Sequence, residues 1–239
     1  MNDIVINLDD KKIDVGNAGF VKLVDCMPRV IPQECKDMMC DYAIVQAARV
    51  SLDQGIKSTE QDSKLIDFLL RNKHTSPFEM VKLKFHVKCP IFIQRQWIRH
   101  RTASVNEISG RYSVLKPEFY IPEKIHVQGK FNKQTSGEEI TDPEVIGIFN
   151  KYIETANQQY IMYNELLKMG VSKETARIGL PLNMYTEFYW CIDLHNLLNF
   201  IRLRSSLNAQ PEIKLYSDAI KELIRDICPH TIESFEKLI

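Results

Sequence analysis

Residues 95–111 hold four arginines, Arg95, Arg99, Arg101 and Arg111, with no lysine and a single acid, Glu107. Arginine presents a planar fork that grips phosphate or carboxylate through two parallel hydrogen bonds, whereas lysine is a point charge. Arg99, His100 and Arg101 stand in succession, and Ser104, Asn106, Ser109 and Gly110 lead on to Arg111. These residues favour loops, where hydroxyls and backbone amides also donate to anions. The chemistry this favours is the holding of a phosphate beside a heterocycle. A solvated helix end laced with surface ion pairs is the plain alternative. Trp97 and Ile98 interrupt the charges, and no lysine is present, which argues against it.

The rest of the composition narrows the choice. Thirty-one Lys plus Arg balance thirty-one Asp plus Glu, so the basic excess of a general nucleic-acid or membrane-surface binder is absent. A groove for RNA or DNA built on residues 95–111 remains the rival reading. Its affinity would fall steeply with salt. The 239 residues are enough for one self-sufficient core. The six cysteines are scattered, without a Cys-x-x-Cys pair or a metal-like spacing with histidine. No metal site is expected. With no export signal and no apolar run of membrane length, the expectation is a soluble cytoplasmic protein with reduced thiols.

The elements that must position the arginines are read from periodicity. Residues 3–8 and 18–25 read as short strands about a "DVGNAG" turn, and residues 36–51 as a helix. Residues 61–73 form a second helix, with Leu65, Phe68 and Leu69 on its buried side. Ser76, Pro77 and Glu79 read as a capping box. "VKLKFHVK" alternates strictly, giving a half-exposed strand with Lys82, Lys84, His86 and Lys88 toward solvent. Pro90 opens a helix over 91–101, and residues 117–141 form a long irregular excursion. A long helix runs from Pro143 to a Gly170 stop, and a short one over 172–181 ends at Pro181. Residues 183–192 read as a strand whose aromatics, Tyr185, Phe188, Tyr189 and Trp190, belong to core or interface. Asp193 caps a helix bearing Leu194, Leu197, Leu198 and Ile201, and Pro211 opens a last long helix that ends before Pro229. There is no repeat and no linker. One α+β domain spans residues 1–239, with a mostly antiparallel sheet packed by long helices.

Arg99-His100-Arg101 followed after seven residues by Ser109 resembles the signature of the flavin-dependent thymidylate synthases, also called ThyX. The resemblance extends through "NEISGRYS". Four further blocks are similar to the family's and in its order: "AARVS", "HTSPFE", "ARIGLPLNMYTEFYW" and "NFIRLR". A lone Arg-His-Arg would be weak; ordered blocks over about two-thirds of the chain are specific.

The resemblance implies conversion of dUMP to dTMP, with methylenetetrahydrofolate as carbon donor, FAD as hydride carrier and NADPH as reductant. It implies a homotetramer whose subunits share active sites. Carried over, Gln96, Trp97, Ile98, Arg99, Glu107, Ile108, Ser109, Gly110, Arg111, Arg177 and Arg204 surround dUMP, with Arg111 and Arg177 on its phosphate. Ser76, Arg99, His100, Arg101, Asn106, Glu107 and Asn199 contact FAD. Asp193 and His195 stand where the family often has asparagine and arginine, and count as further FAD contacts. Arg204 and His74 are the catalytic candidates, Arg204 stabilising charge on the pyrimidine and His74 lying over the flavin. The nine glycines form no Gly-x-Gly-x-x-Gly, so a Rossmann site is not expected. Ser109 lacks an evident base and reads as a phosphate-binding hydroxyl; Cys228 and Cys191 read as core. A catalytically dead relative is disfavoured because Arg99, Ser109, Arg177 and Arg204 are all present.

Overall fold

The computed structural model describes residues 3–50, 55–130 and 136–238; Ser51, which ends the "AARVS" block, lies outside them. Four strands open the chain: β1 (Ile4–Val5), β2 (Lys12–Val15), β3 (Gly19–Met27) and β4 (Val30–Ile31). They are followed by β5 (Lys82–Pro90), β6 (Ala103–Glu107), β7 (His126–Gln128), β8 (Ser136–Glu139) and β9 (Tyr185–Asp193). The main sheet has the order β2-β3-β5-β9-β6 and is antiparallel throughout. Alternation selects its faces. Val81, Leu83, Phe85 and Val87 are buried toward the helices, opposite Phe188, Trp190 and Ile192 of β9.

The helices are α1 (Asp41–Val50), α2 (Thr59–Arg71), α3 (Ile91–Trp97), α4 (Pro143–Lys168), α5 (Lys173–Ala176), α6 (Leu194–Arg204), α7 (Pro211–Ile224) and α8 (Pro229–Glu236). Side chains cap several of them: Ser58 accepts from Gln61 N, Asp142 from Glu144 N and Asp193 from Asn196 N. Gly170 ends α4 with a φ of +89°, which favours glycine. One core unites the sheet with α1, α2, α3, α6, α7 and α8. By contrast, α4 packs against α5 and the turn after it, and leaves Ile148, Tyr152, Ile161 and Met162 exposed. No helix among the described residues is long and apolar enough to cross a membrane.

Several expectations need correcting. The "DVGNAG" turn joins β2 to β3, not residues 3–8 to 18–25; Ile4–Val5 pairs instead with β4. Helix α1 starts only at Asp41, because residues 33–40 are spent on a 3-10 turn and further turns, with Met39 at φ 52°. On α2 the buried residues are Asp62, Ile66 and Leu69, while Phe68 is exposed and lies edge-on to His74. Ser76–Met80 is one 3-10 turn, and no side chain caps it. Helix α3 stops at Trp97, after Arg95 but short of Arg99 and Arg101, and the "loop" residues 103–107 are the edge strand β6. Within the excursion, β7 and β8 pair as a hairpin. His86 is half-buried, not solvated. It stacks on Tyr189 with centroids 4.7 Å apart, meets Phe20 edge-on and lies 3.1 Å from Glu187 Oε2. Cross-strand aromatic neighbours cover what alternation alone points to water. Cys191 likewise sits on that outer face and is only half-buried.

Asp41 ties α1 to α8. It is fully buried and accepts from His230 N (2.7 Å), Thr231 N (3.1 Å) and Thr231 Oγ1 (2.6 Å). Removing it strands two backbone donors at the start of α8 away from water. Asp41→Ala is expected to lose about 3 kcal/mol of unfolding free energy, and Thr231→Val about 1 kcal/mol. Denaturant titration of both variants checks the order.

Candidate active site

Helix α3 is short, and its end is anchored. Trp97 is fully buried, and Ile98 forms the C-cap. The chain then tightens: Arg99 N donates to Gln96 O and His100 N to Trp97 O. This throws Arg99 and Arg101 outward, both exposed, and turns His100 inward against the Phe200 ring, 4.8 Å away. Arg204, at the last turn of α6, reaches the same point. Its Nε donates to His100 Nε2 at 3.0 Å and its Nη2 to the Gln96 carbonyl at 3.4 Å. The Gln96 side-chain amide donates to Gln210 Oε1.

The charge state of this cluster follows from burial. Desolvation, aided by the Arg204 charge, pushes the His100 imidazole down to about 4, so it is neutral and its Nε2 lone pair is free to accept. Burial also lowers Arg204 from its ordinary value, though a guanidinium stays protonated. Among the described residues no carboxylate pairs with Arg204. The result is a half-buried positive charge oriented by a neutral partner.

On the other side of α3, Gln94 Nε2 donates to Glu107 Oε2 at 2.9 Å, and Thr186 Oγ1 of β9 donates to Glu107 Oε1 at 2.6 Å. Glu107 ends β6, and the chain then folds into a turn in which Tyr112 N and Ser113 N both donate to Ser109 O. Ser109 Oγ accepts from Arg111 N at 3.3 Å, so its hydroxyl faces an amide and not a base. Gly110 allows a close approach of side chains. A Cβ there would lie 3.1 Å from Arg177 Cδ and 3.1 Å from Leu115 Cδ1. From the α5 end, Glu174 Oε1 pairs with Arg111 Nε at 3.2 Å and Lys173 Nζ donates to Tyr112 O at 2.9 Å. Arg111 and Arg177 therefore belong to one cluster, which α3 links through Glu107 to the Arg204 cluster.

A third group lies between the end of α2 and α6. His74, His195 and Asn199 line a cleft of about 600 Å³ with Arg71, Lys73 and Arg202, over a floor of Leu69, Phe78, Leu198 and Phe235. Arg202 Nη2 donates to Asn199 Oδ1 at 2.8 Å. Cations around an apolar floor suit an anionic ligand with a flat ring. Ser76, exposed, stands two residues from His74. Asp193 is the exception among the expected contacts. Its Oδ1 accepts from Asn196 N, Asn196 Nδ2 donates to both carboxylate oxygens at 3.0 and 2.9 Å, and Lys82 Nζ lies 3.5 Å away. The carboxylate is spent as a helix cap. Asn106 is on the exposed edge strand, and Ile108 is exposed beside it.

Comparison with known proteins decides the family. The family model described as "Thymidylate synthase complementing protein" matches residues 36–230. The chain is 52% identical over 225 residues to the flavin-dependent thymidylate synthase of Thermus thermophilus, covering 94% of this chain and 78% of that one. It is 49% identical over 226 residues to the enzyme of the same name from Dictyostelium discoideum, covering 94% and 73%. The chain belongs to the flavin-dependent thymidylate synthase family of enzymes. Its fold also matches a solved UMP/dUMP methylase, PolB from Streptomyces cacaoi bound with 5-Br dUMP. That match has a TM-score of 0.78 at 27% identity and covers 94% of this chain and 97% of the other.

Within this thymidylate synthase family fold, sequence reasoning missed Gln94, Thr186, Gln210 and the cleft residues Arg71, Lys73 and Arg202. Two of these left a readable signal. Gln94 sits between buried Ile93 and Trp97 on the apolar side of α3, and Thr186 shares the inward parity of Phe188 and Trp190. A polar side chain at a core position must find a partner. Gln210 and the cleft residues had no local signal, since their neighbours come from distant segments.

The depressed His100 pKa gives a pH test. An unfolded histidine takes up its proton near 6.5 and the folded one only at about 4. Unfolding therefore binds protons between these values, and folded stability falls as pH drops through that window. His100→Asn is expected to flatten that slope by less than one proton per molecule, read from unfolding titrations at pH 7 and pH 5.

Proposed function

We propose that this enzyme methylates C5 of dUMP to give dTMP, taking the carbon from methylenetetrahydrofolate and reducing equivalents from NADPH through FAD. No covalent bond to the protein is needed. The observation that carries the reading is the guanidinium of Arg204, half-buried, fixed by neutral His100 and the Gln96 carbonyl, and free of any described carboxylate. Uracil C5 is a poor carbon nucleophile until negative charge spreads onto N3 and O4. A guanidinium already oriented and partly desolvated stabilises that charge without reorganising or giving up a proton.

The other clusters suit the remaining parts of the ligands. Arg111 and Arg177, brought together around Gly110, would hold the nucleotide phosphate, with the Ser109 hydroxyl and turn amides beside them. Glu107 would accept from a ring N–H or a sugar hydroxyl. The cleft of His74, His195, Asn199 and Arg202 fits a flavin. Its cations would meet the pyrophosphate and its apolar floor the ring; Arg99, His100, Arg101 and Asn106 lie outside its lining and would have to reach the flavin from beyond it. Bound flavin supplies the hydride that completes the methyl group. The protein's share is to align donor carbon and C5 and to keep water from the reacting atoms.

The same reading needs no thiol. Cys26, Cys35, Cys40, Cys89 and Cys228 are buried. Hydrogen bonding to a neighbouring thiol, then burial, raises Cys26 and Cys40, and burial raises Cys35 and Cys89. Cys228 is held up by burial against the lowering contact with Cys40, and all of this disfavours thiolate. All six cysteines are free, in keeping with a reducing cytoplasm. The exposed apolar residues along α4 support assembly into a homotetramer with shared sites.

Arg204→Lys should keep its flavin absorbance yet form dTMP about 100-fold more slowly, because a point charge cannot replace the fork. Near-normal turnover would refute the role of Arg204. A dUMP–protein adduct surviving denaturation would refute the non-covalent route. Light scattering should give about four times the 27.8 kDa chain mass.

A further inference from the structure

We propose that Gln94 and Thr186 are positioning residues that set the carboxylate of Glu107 from inside the core. This rests on the reading above that Glu107 touches the nucleotide or the flavin. Glu107 stands at the end of the edge strand, on the face of the sheet that the helices cover elsewhere; it pairs in register with Phe188, which is buried, but is itself exposed. An exposed glutamate ordinarily samples many rotamers. Here each oxygen has its own donor: Gln94 from α3 at 2.9 Å and Thr186 from β9 at 2.6 Å.

Both donors are only 5% exposed. If Glu107 swung away, an amide and a hydroxyl that are nearly buried beneath it would lose their acceptor. The interior therefore enforces the rotamer of a surface group. The amide must present its nitrogen, because a carboxylate only accepts. The two donors come from elements joined elsewhere by the core, since α3 packs on both β5 and β9. Each carboxylate oxygen keeps lone-pair capacity on its open side. A ligand N–H or O–H meets acceptors already aimed, and a phosphate is repelled, which sorts the two ends of a nucleotide.

The test uses full-length flavin-loaded enzyme and four variants: Thr186→Val, which keeps shape and drops the hydroxyl; Thr186→Ser, which keeps the hydroxyl; Glu107→Gln; and the Thr186→Val/Glu107→Gln double variant. Binding of dUMP is followed by the change in flavin absorbance, alongside kcat and KM for dTMP formation. Thr186→Val is expected to weaken dUMP binding about tenfold and Thr186→Ser by less than about twofold. In the Glu107→Gln background, Thr186→Val should add less than about twofold, because the group it positions is already changed. Gln94→Leu, put through the same cycle, gives a second route to the answer if the Thr186 variant folds poorly. Equal effects of Thr186→Val in both backgrounds would mean a purely structural role and overturn the proposal. An impaired Glu107→Gln beside a normal Thr186→Val and a normal Gln94→Leu would overturn positioning alone. A Glu107→Gln enzyme that binds dUMP and flavin normally would overturn the assignment of Glu107 itself, and positioning with it.

Discussion

Trp97 is buried against Phe188, Trp190, Phe200 and Tyr216, with ring centroids 5.4, 5.3, 4.9 and 5.9 Å away. These rings come from β9, α6 and α7, so a single indole locks the end of α3 to the three elements around it. Large aromatic contacts of this kind carry much of a core's packing energy. The Arg204 and Glu107 clusters both hang from that lock. Gln94 and Gln96 precede Trp97 and point to different clusters, and His100 follows it and faces Arg204. Shift the indole, and three side chains lose register at once.

The second organising feature is how charge is handled around that anchor. A half-buried arginine is normally neutralised by a carboxylate. Arg204 has instead a neutral imidazole and a backbone carbonyl, so its charge stays available to a ligand. The nearby carboxylates are occupied elsewhere: Glu107 by Gln94 and Thr186, Asp193 by Asn196 and the α6 terminus, Glu174 by Arg111. Acidic groups are not absent from the site. Glu107 and Asp193 are tied down away from Arg204, which therefore stays open, whereas Glu174 pairs with Arg111 and would have to share it with a phosphate.

Much of this was legible in the sequence, for reasons that can be stated. Strict alternation located β5 because Leu83, Phe85 and Val87 make one core face, although on the other Lys88, expected in solvent, is buried and pairs with Glu118. Asp193, Gly170 and Pro211 marked helix ends through capping and backbone chemistry. The arginine cluster stood out by residue type. Edge strand β6 escaped because its inward positions are mostly exposed, which erases the alternation. The early stop of α3 escaped because Ile98 and Arg99 are ordinary helix residues and tertiary packing ends the helix. That α3 joins the two arginine clusters through Gln94 and Gln96 was out of reach, because each partner comes from a distant segment.

Helix α4 has a consequence of a different kind. Its 26 residues make a rod about 39 Å long. About two-thirds of the way along it, the Tyr160 hydroxyl donates to Leu115 O at 2.7 Å, and Leu115 in turn packs against Gly110, which abuts Arg177. That bond makes the helix and the turn one packed unit, so a displacement of α4 would be felt at Ser109 and Arg111.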